Sequence, residues 1–404
     1  MIKVEVANVH QFGEYFIIEN SYKTIFLLRE EQFKILYFYC RNKNFKKTID
    51  EVIQFYDITE NIKVIRENVN SFIKNCIKNS LIYDDFYFTG VYKKYYPRVL
   101  NIEMTNFCNF SCSHCYKEAK NSNSIFLSEK ILEDLIKNYK GKIATINITG
   151  GEPLSYPNIN KLLDRLTKNF TVNVTTNGSL IDIVSEENLK RCNDFQISIY
   201  GFNQETFSVI TNNKIVRFSK ILDNISYLKR LNKRITISIV VNNLIINESD
   251  KIIKLLSKIK PDSIIVSKCG ITGRAIKNIN LWQINERNYN LFIEKITSSD
   301  IGYLVAINHD IVKSSEIEDN DNLSFLCGAG TLMYSMDENG ILYNCLNLKD
   351  EIFKIGNLNK IEENSKKLMK NNFSKKIELA EKLNKKFELC PIMEEFYEKI
   401  SKKT

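Results

Sequence analysis

Little in this 404-residue chain breaks regular structure: it holds only 5 Pro and 14 Gly. Together with 44% apolar and 26% charged content, that excludes collagen-like and disordered chains. No apolar run reaches the ~18 residues that a membrane-spanning helix needs. The opening MIKVEV also lacks the basic and apolar stretches of a secretory signal. A cytoplasmic location without a membrane partner is therefore expected. The net charge of +9 is spread as single lysines and falls short of a nucleic-acid footprint, so no nucleic-acid partner is expected. Histidine is scarce, at three residues, and His10 and His309 stand alone as structural or surface positions. No internal repeat is found, and the bias toward Ile, Lys and Asn reads as genome composition.

What the chain does have is ten cysteines. In a reducing compartment, clustered thiols are metal ligands more often than disulfides. Cys108, Cys112 and Cys115 stand in the run C-N-F-S-C-S-H-C. A structural zinc site takes four protein ligands, usually as two separated pairs. Three thiolates on a four-iron cubane leave one iron open to an outside ligand. Cys327 and Cys345 form a second group, with Cys390 beyond it. Cys40 and Cys76 fall on apolar helical stripes and read as core, and Cys192 has no partner in sight.

The length allows several domains. Residues 1–90 begin with alternating runs, read as a small antiparallel sheet, and continue with three helical stripes. That β3α3 order resembles a winged helix, with Tyr92 to Arg98 as a linker. Residues 91–300 repeat strand-then-helix about six times, with strands expected at 99–105, 144–149, 171–175, 195–199, 235–241 and 263–266. Such repeats imply parallel strands with right-handed crossovers, in an α/β barrel or a doubly wound sheet. A barrel would gather its chemistry on the loops at the C-terminal strand ends. Residues 301–404 are less regular and carry a hairpin signal at Asn339-Gly340.

The C-x3-C-x2-C spacing resembles the radical S-adenosylmethionine (SAM) superfamily. That resemblance implies a partial (β/α)6 barrel and a [4Fe-4S] cluster on Cys108, Cys112 and Cys115. Its open iron would take the amine and carboxylate of SAM and pass an electron into the sulfonium, and the resulting 5′-deoxyadenosyl radical would remove a hydrogen atom from substrate. Further positions follow the family in order. Gly150, Gly151 and Glu152 match its G-G-E-P element: the glycines would let the backbone approach the methionine moiety, and Glu152 would accept from its ammonium. His114 holds the aromatic place whose backbone packs near the adenine. Asn177 lies in a T-N-G turn, Ser198 opens an S-x-D-G-like run in which Tyr200 replaces the acid, and Arg274 lies in a G-R-A-like element.

Cys327, Gly340 and Cys345 resemble the start of a SPASM/twitch extension. With Cys390 alone following, they imply one auxiliary iron–sulfur cluster, of the [4Fe-4S] kind, rather than two. Cys269 follows the sixth strand and stays open between a loop thiol, a fourth ligand and a hydrogen-atom donor. The N-terminal unit resembles a leader-recognition domain, in which an extended leader adds a strand to a sheet edge. A DNA-binding winged helix would need a basic recognition helix, which is lacking. The three regions in this order resemble peptide maturases, whose partners would be a precursor peptide with its leader and an electron donor such as a flavodoxin or ferredoxin. The expected product is a thioether from a cysteine sulfur to carbon. Carbon–carbon or ether crosslinking, epimerisation, and a small-molecule cofactor-biosynthesis activity are the alternatives.

Overall fold

A computed structural model of the protein describes residues 5–12, 15–19, 25–78, 86–92, 96–119, 122–299, 304–307, 310–311, 333–346, 349 and 354–368. The chain divides into two compact units. One is Met1–Arg98 with Asn320–Thr331 and Ile361–Asn384; the other is Val99–Asp319 with Leu332–Lys360 and Lys385–Thr404. Among the described residues no helix is long and apolar enough to cross a membrane.

The N-terminal unit contains β1 (Glu5–Phe12), β2 (Tyr15–Glu19), β3 (Ile25–Arg29), α1 (Glu30–Asn42), α2 (Phe45–Phe55), α3 (Ile62–Lys78) and β4 (Phe86–Tyr92). Its sheet runs β3-β2-β1-β4, so it has four strands where the sequence suggested three. β4 lies parallel to β1, from Glu5↔Phe86 to His10↔Tyr92, and ends where a linker was expected to begin. This pairing closes one side of β1 and leaves β3 as an outer strand. The helices bury Leu36 and Ile73 completely, and the Phe16 and Phe33 rings stack 4.1 Å apart at 3°. Asn44 starts α2 by accepting from the Lys47 amide at 3.0 Å, which satisfies one of the helix's orphan donors.

The second unit is built on seven parallel strands in sequence order: β5 (Val99–Glu103), β6 (Thr145–Thr149), β7 (Thr171–Thr176), β8 (Asp194–Ser198), β9 (Arg234–Val240), β10 (Ser263–Ser267) and β11 (Leu304–Ile307). The first six agree with the sequence-based ranges to within two residues. A short β12 (Asp310–Ile311) ends one side. On the other, β13 (Met333–Met336) pairs parallel to β5 and turns back into β14 (Ile341–Tyr343) and β15 (Lys354–Asn357). Helices connect the strands, beginning with α4 (Glu129–Tyr139), whose N-cap Ser128 accepts from the Ile131 amide as its sequence position suggests.

The two faces of this sheet differ sharply. Leu100, Ile102, Ile146, Ile148, Val174, Phe195, Ile197, Ile235, Ile237, Ile264 and Val266 are 0% exposed on one face. The alternate positions are mostly polar, among them Asn101, Glu103, Asn147, Thr149, Asn173, Thr175, Gln196, Ser198, Thr236 and Ser238, with Val99, Val240 and Ile265 as apolar exceptions. A doubly wound sheet covers both faces with helices and reads apolar throughout. One apolar face and an unbroken strand order instead give the curled, open barrel, with the polar face turned into its lumen. The β5–β6–β7–β8 register stacks that lumen in layers. In one layer the Asn147, Asn173 and Asn193 amides, the last from just before β8, donate in turn to Asn101, Asn147 and Asn173 at 2.8, 2.9 and 2.9 Å.

Candidate active site

The cysteine run follows β5 at its C-terminal end, where a barrel places its chemistry. Cys108 and Cys112 are buried and Cys115 is half-buried. The loop is held from several sides. The Ser111 and Ser113 amides donate to the carbonyls of Thr211 and Ile210. Arg274 donates through Nε to the Cys112 carbonyl at 2.8 Å and through Nη1 to that of Ala119 at 2.9 Å. Trp282 Nε1 donates to Ser113 Oγ at 3.1 Å. Arg274, from the G-R-A-like element, thus holds the loop by its backbone.

Gly150 and Gly151 are also drawn toward the loop. A Cβ on Gly151 would stand 1.9 Å from the Phe107 carbonyl oxygen, and one on Gly150, at φ +125°, 2.6 Å from that of Thr105. The Gly151 and Glu152 amides donate to those same two carbonyls at 2.8 and 2.7 Å. In this structure, the glycines let the end of β6 touch the root of the cysteine loop.

Glu152 is fully buried and accepts from Thr176 Oγ1 (2.7 Å), the Asn177 amide (2.8 Å) and the Leu154 amide (3.0 Å). Burial pushes its carboxyl up to about 7, against the pull of those donors. Asn177 donates through Nδ2 to Asn109 Oδ1 at 2.9 Å and approaches Cys108 Sγ at 3.9 Å. A continuous chain of contacts therefore runs from the Glu152 turn through Asn177 to the first cysteine. Ser198, half-buried at the end of β8, hydrogen-bonds Tyr200.

His114 lies between Trp282, with ring centres 4.3 Å apart, and Tyr200, at 5.7 Å. Burial holds its imidazole down to about 4, hence neutral, and its Nδ1 is buried with no hydrogen-bond partner among the described residues. Cys269 packs in the apolar cluster of Ile210, Ala275 and Trp282, with its thiol pushed up to about 12 by burial and donating to the Gly270 carbonyl. Cys345 is half-buried after β14, while Cys327 and Cys390 lie outside the described residues.

The donor set fits an iron–sulfur cluster with SAM. Burial raises the Cys108 thiol to about 12 and the Cys112 thiol well above its usual value; a bound iron would favour the thiolate at either. Among the described residues no three His, Cys, Asp or Glu side chains converge tightly enough for one metal ion. A cubane asks less of them, because each thiolate takes a different iron. The orphaned His114 Nδ1 offers a polar atom to a nucleobase. A cavity of about 340 Å³ opens beside Cys108, between the loop, Asn213 and Arg274.

Sequence reasoning missed Glu103, the last residue of β5. It is 0% exposed and bound by Tyr116, Lys117 and Lys349. A carboxylate two residues before T-N-x-C, with a lysine two residues after the last cysteine, was the available signal.

Residues 102–257 match the family model of the Radical SAM superfamily. The GTP 3′,8-cyclase of Staphylococcus haemolyticus is 29% identical over 182 residues, 41% of this chain and 52% of that protein. AlbA, the antilisterial bacteriocin subtilosin biosynthesis protein of Bacillus subtilis, is 39% identical over 99 residues, 23% and 21% of the two chains. The chain therefore spans about half and a fifth of these two relatives. In fold, it resembles SuiB of Streptococcus suis in its complex with the precursor peptide SuiA. The TM-score is 0.57 at 16% identity, over 92% of this chain and 88% of that one. The anSMEcpe structure with bound AdoMet and the Cp18Cys peptide superposes with a TM-score of 0.52 at 17% identity, over 69% and 81%. Over residues 102–257 the chain thus matches the Radical SAM superfamily.

Proposed function

We propose that the protein is a radical SAM peptide maturase that forms a thioether between a cysteine sulfur and carbon in a ribosomally made precursor. The observation that carries the radical chemistry is the clamped loop, with three thiols at the C-terminal end of β5. Cys108, Cys112 and Cys115 would hold the cluster, whose iron with SAM supplies a hydrogen-abstracting radical when an electron arrives. A flavodoxin or ferredoxin would deliver that electron. Asn177 and Glu152 would set the wall beside Cys108, and His114 with Tyr200 and Trp282 would flank the nucleoside.

The peptide reading is supported by the four-stranded unit, whose outer strand β3 pairs on one side only among the described residues and could take an extended leader on the other. The fold shared with SuiB, solved with its precursor peptide, supports it too. The lumen agrees. Its strands present amides and hydroxyls, which suit peptide groups, while Lys117 and Lys349 are spent on Glu103 and Arg274 on loop carbonyls. Thioether formation breaks one S–H and one C–H bond. One hydrogen goes to the radical; the other leaves as a proton, and its electron passes to an acceptor. Cys327, Cys345 and Cys390 would hold the auxiliary cluster that takes it, with Cys269 left as a packed thiol.

The second reading is cyclisation of a small molecule, favoured by sequence likeness to GTP 3′,8-cyclases. Anaerobic incubation with SAM, dithionite and a short cysteine-containing peptide encoded beside the gene separates the two. The expected result is 5′-deoxyadenosine release and a peptide lighter by two hydrogens, both abolished by Cys112→Ala. Product formed from GTP and not from peptide would overturn the peptide reading. Absence of deoxyadenosine would overturn the radical chemistry itself.

A further inference from the structure

Glu103 ends β5 on the lumen face with none of its side chain exposed. Its Oε1 accepts from Tyr116 Oη at 3.0 Å, and its Oε2 from Lys117 Nζ at 2.8 Å and from Lys349 Nζ. Lys117 also donates to Glu338 Oε2 at 2.6 Å, in the β13–β14 turn. The Lys349 ammonium lies 6.0 Å from the centre of the Tyr116 ring. Two carboxylates and two ammoniums thus form a neutral quartet drawn from β5, the segment just after Cys115, the hairpin turn and residue 349.

Stability alone gives little reason for such a quartet. Buried ion pairs often do no better than apolar side chains of the same size, and their best-attested use is to specify register. Register is the open question for this hairpin. β13 pairs with β5 from Met333↔Val99 to Met336↔Ile102. A slip of two residues would keep every side chain on its face and keep the ladder pairing. It would also carry Glu338 about 6.6 Å along the strand and away from Lys117. The charged contacts, beside the packing of the buried Tyr334 and Met336, tell the two pairings apart. Cys345 lies two residues after the end of β14 and four before Lys349, whose ammonium meets Glu103. The hairpin's register therefore sets where Cys345 stands relative to the cysteine loop.

We infer that Glu103 is a positioning residue that locks the C-terminal hairpin in register on β5 and so fixes Cys345 beside the cysteine loop. Its weight for the reaction rests on Cys345 being an auxiliary-cluster ligand, as proposed above; the lock itself does not.

Hydrogen–deuterium exchange on the full-length, iron-free protein tests the lock. Glu103→Gln leaves two ammoniums facing a neutral amide, and adding Lys349→Met removes the surplus charge. The double variant should recover most of the parent's melting temperature, yet amides 333–343 should still exchange at least about tenfold faster, with β6–β9 unchanged. Parental exchange of those amides in the double variant would overturn the proposal. If Glu103→Gln does not fold, Glu338→Gln, at the hairpin end of the quartet and less buried than Glu103, should show the same local acceleration, and parental exchange there would equally refute it. Iron content of Cys345→Ala tests the ligand reading separately. Full iron in that variant, with the exchange effects intact, would remove the ligand role and leave the lock standing.

Discussion

Replacing Gly151 by Ala should displace the cysteine loop, and the size of the effect follows from the contacts. A Cβ there would lie 1.9 Å from the Phe107 carbonyl oxygen and 2.4 Å from its carbon, both backbone atoms that cannot rotate away. Relieving the clash moves the loop's root by roughly 1 Å, which lengthens the 2.7 Å bond from the Glu152 amide to Phe107 beyond bonding range. The lost hydrogen bond and the overpacking strain together cost about 2–4 kcal/mol. That corresponds to a fall of roughly 4–16 °C in the melting temperature of this unit. Gly270→Ala is the control: it meets nothing within 4 Å and should be neutral or stabilising by up to about 1 kcal/mol. The assay is thermal unfolding of the iron-free proteins, followed by iron per chain after anaerobic reconstitution. A 1 Å shift near reacting atoms costs on the order of a hundredfold in rate, so folded Gly151→Ala protein should also bind iron poorly. Parental melting and iron content in Gly151→Ala would refute the claim that this glycine seats the loop.

Two further outcomes follow from burial. Glu152, raised to about 7 in the folded protein, keeps a proton that the unfolded chain gives up near its usual value of 4.5. Stability should therefore fall as pH rises from 4.5 to 7, by up to about 3 kcal/mol, and level off above. Urea midpoints at pH 5 and 7.5 measure this, and Glu152→Gln should flatten the slope; a parent more stable at the higher pH would contradict the assignment. Leu36→Ala removes a fully buried side chain from the N-terminal unit and should cost about 2–5 kcal/mol there. The single tryptophan, Trp282, belongs to the other unit, so its fluorescence transition should stay in place while far-UV dichroism melts earlier. A matching fall in the Trp282 transition would show that the two units unfold as one.

The parallel strands were legible because each is a short apolar alternation bounded by turn residues, and the cysteine triplet because its spacing is local. β4 was not. Its residues Phe86–Tyr92 are rich in aromatic and β-branched types, but its pairing with β1 joins positions about eighty apart, which no local pattern reveals. The asparagines were misread as composition, although Asn101, Asn147, Asn173 and Asn193 form a hydrogen-bonded row across four strand positions. Such a row exists only in register, and register is set by pairings that no single segment encodes.

Glu103 shows the same limit at the site itself. In sequence it is one acid among 48 acidic residues, on a strand whose alternation predicts only that it faces the polar side. Its partners stand 13, 14 and 246 positions away. A buried carboxylate is costly without partners, and at Glu103 those partners include lysines that arrive from elsewhere in the chain. The cysteine loop supplies one of them and the C-terminal extension the other. The same carboxylate that stands at the root of the three cysteines therefore makes the distant Cys345 segment part of their surroundings. The spacing of either cysteine group, taken alone, does not contain that coupling.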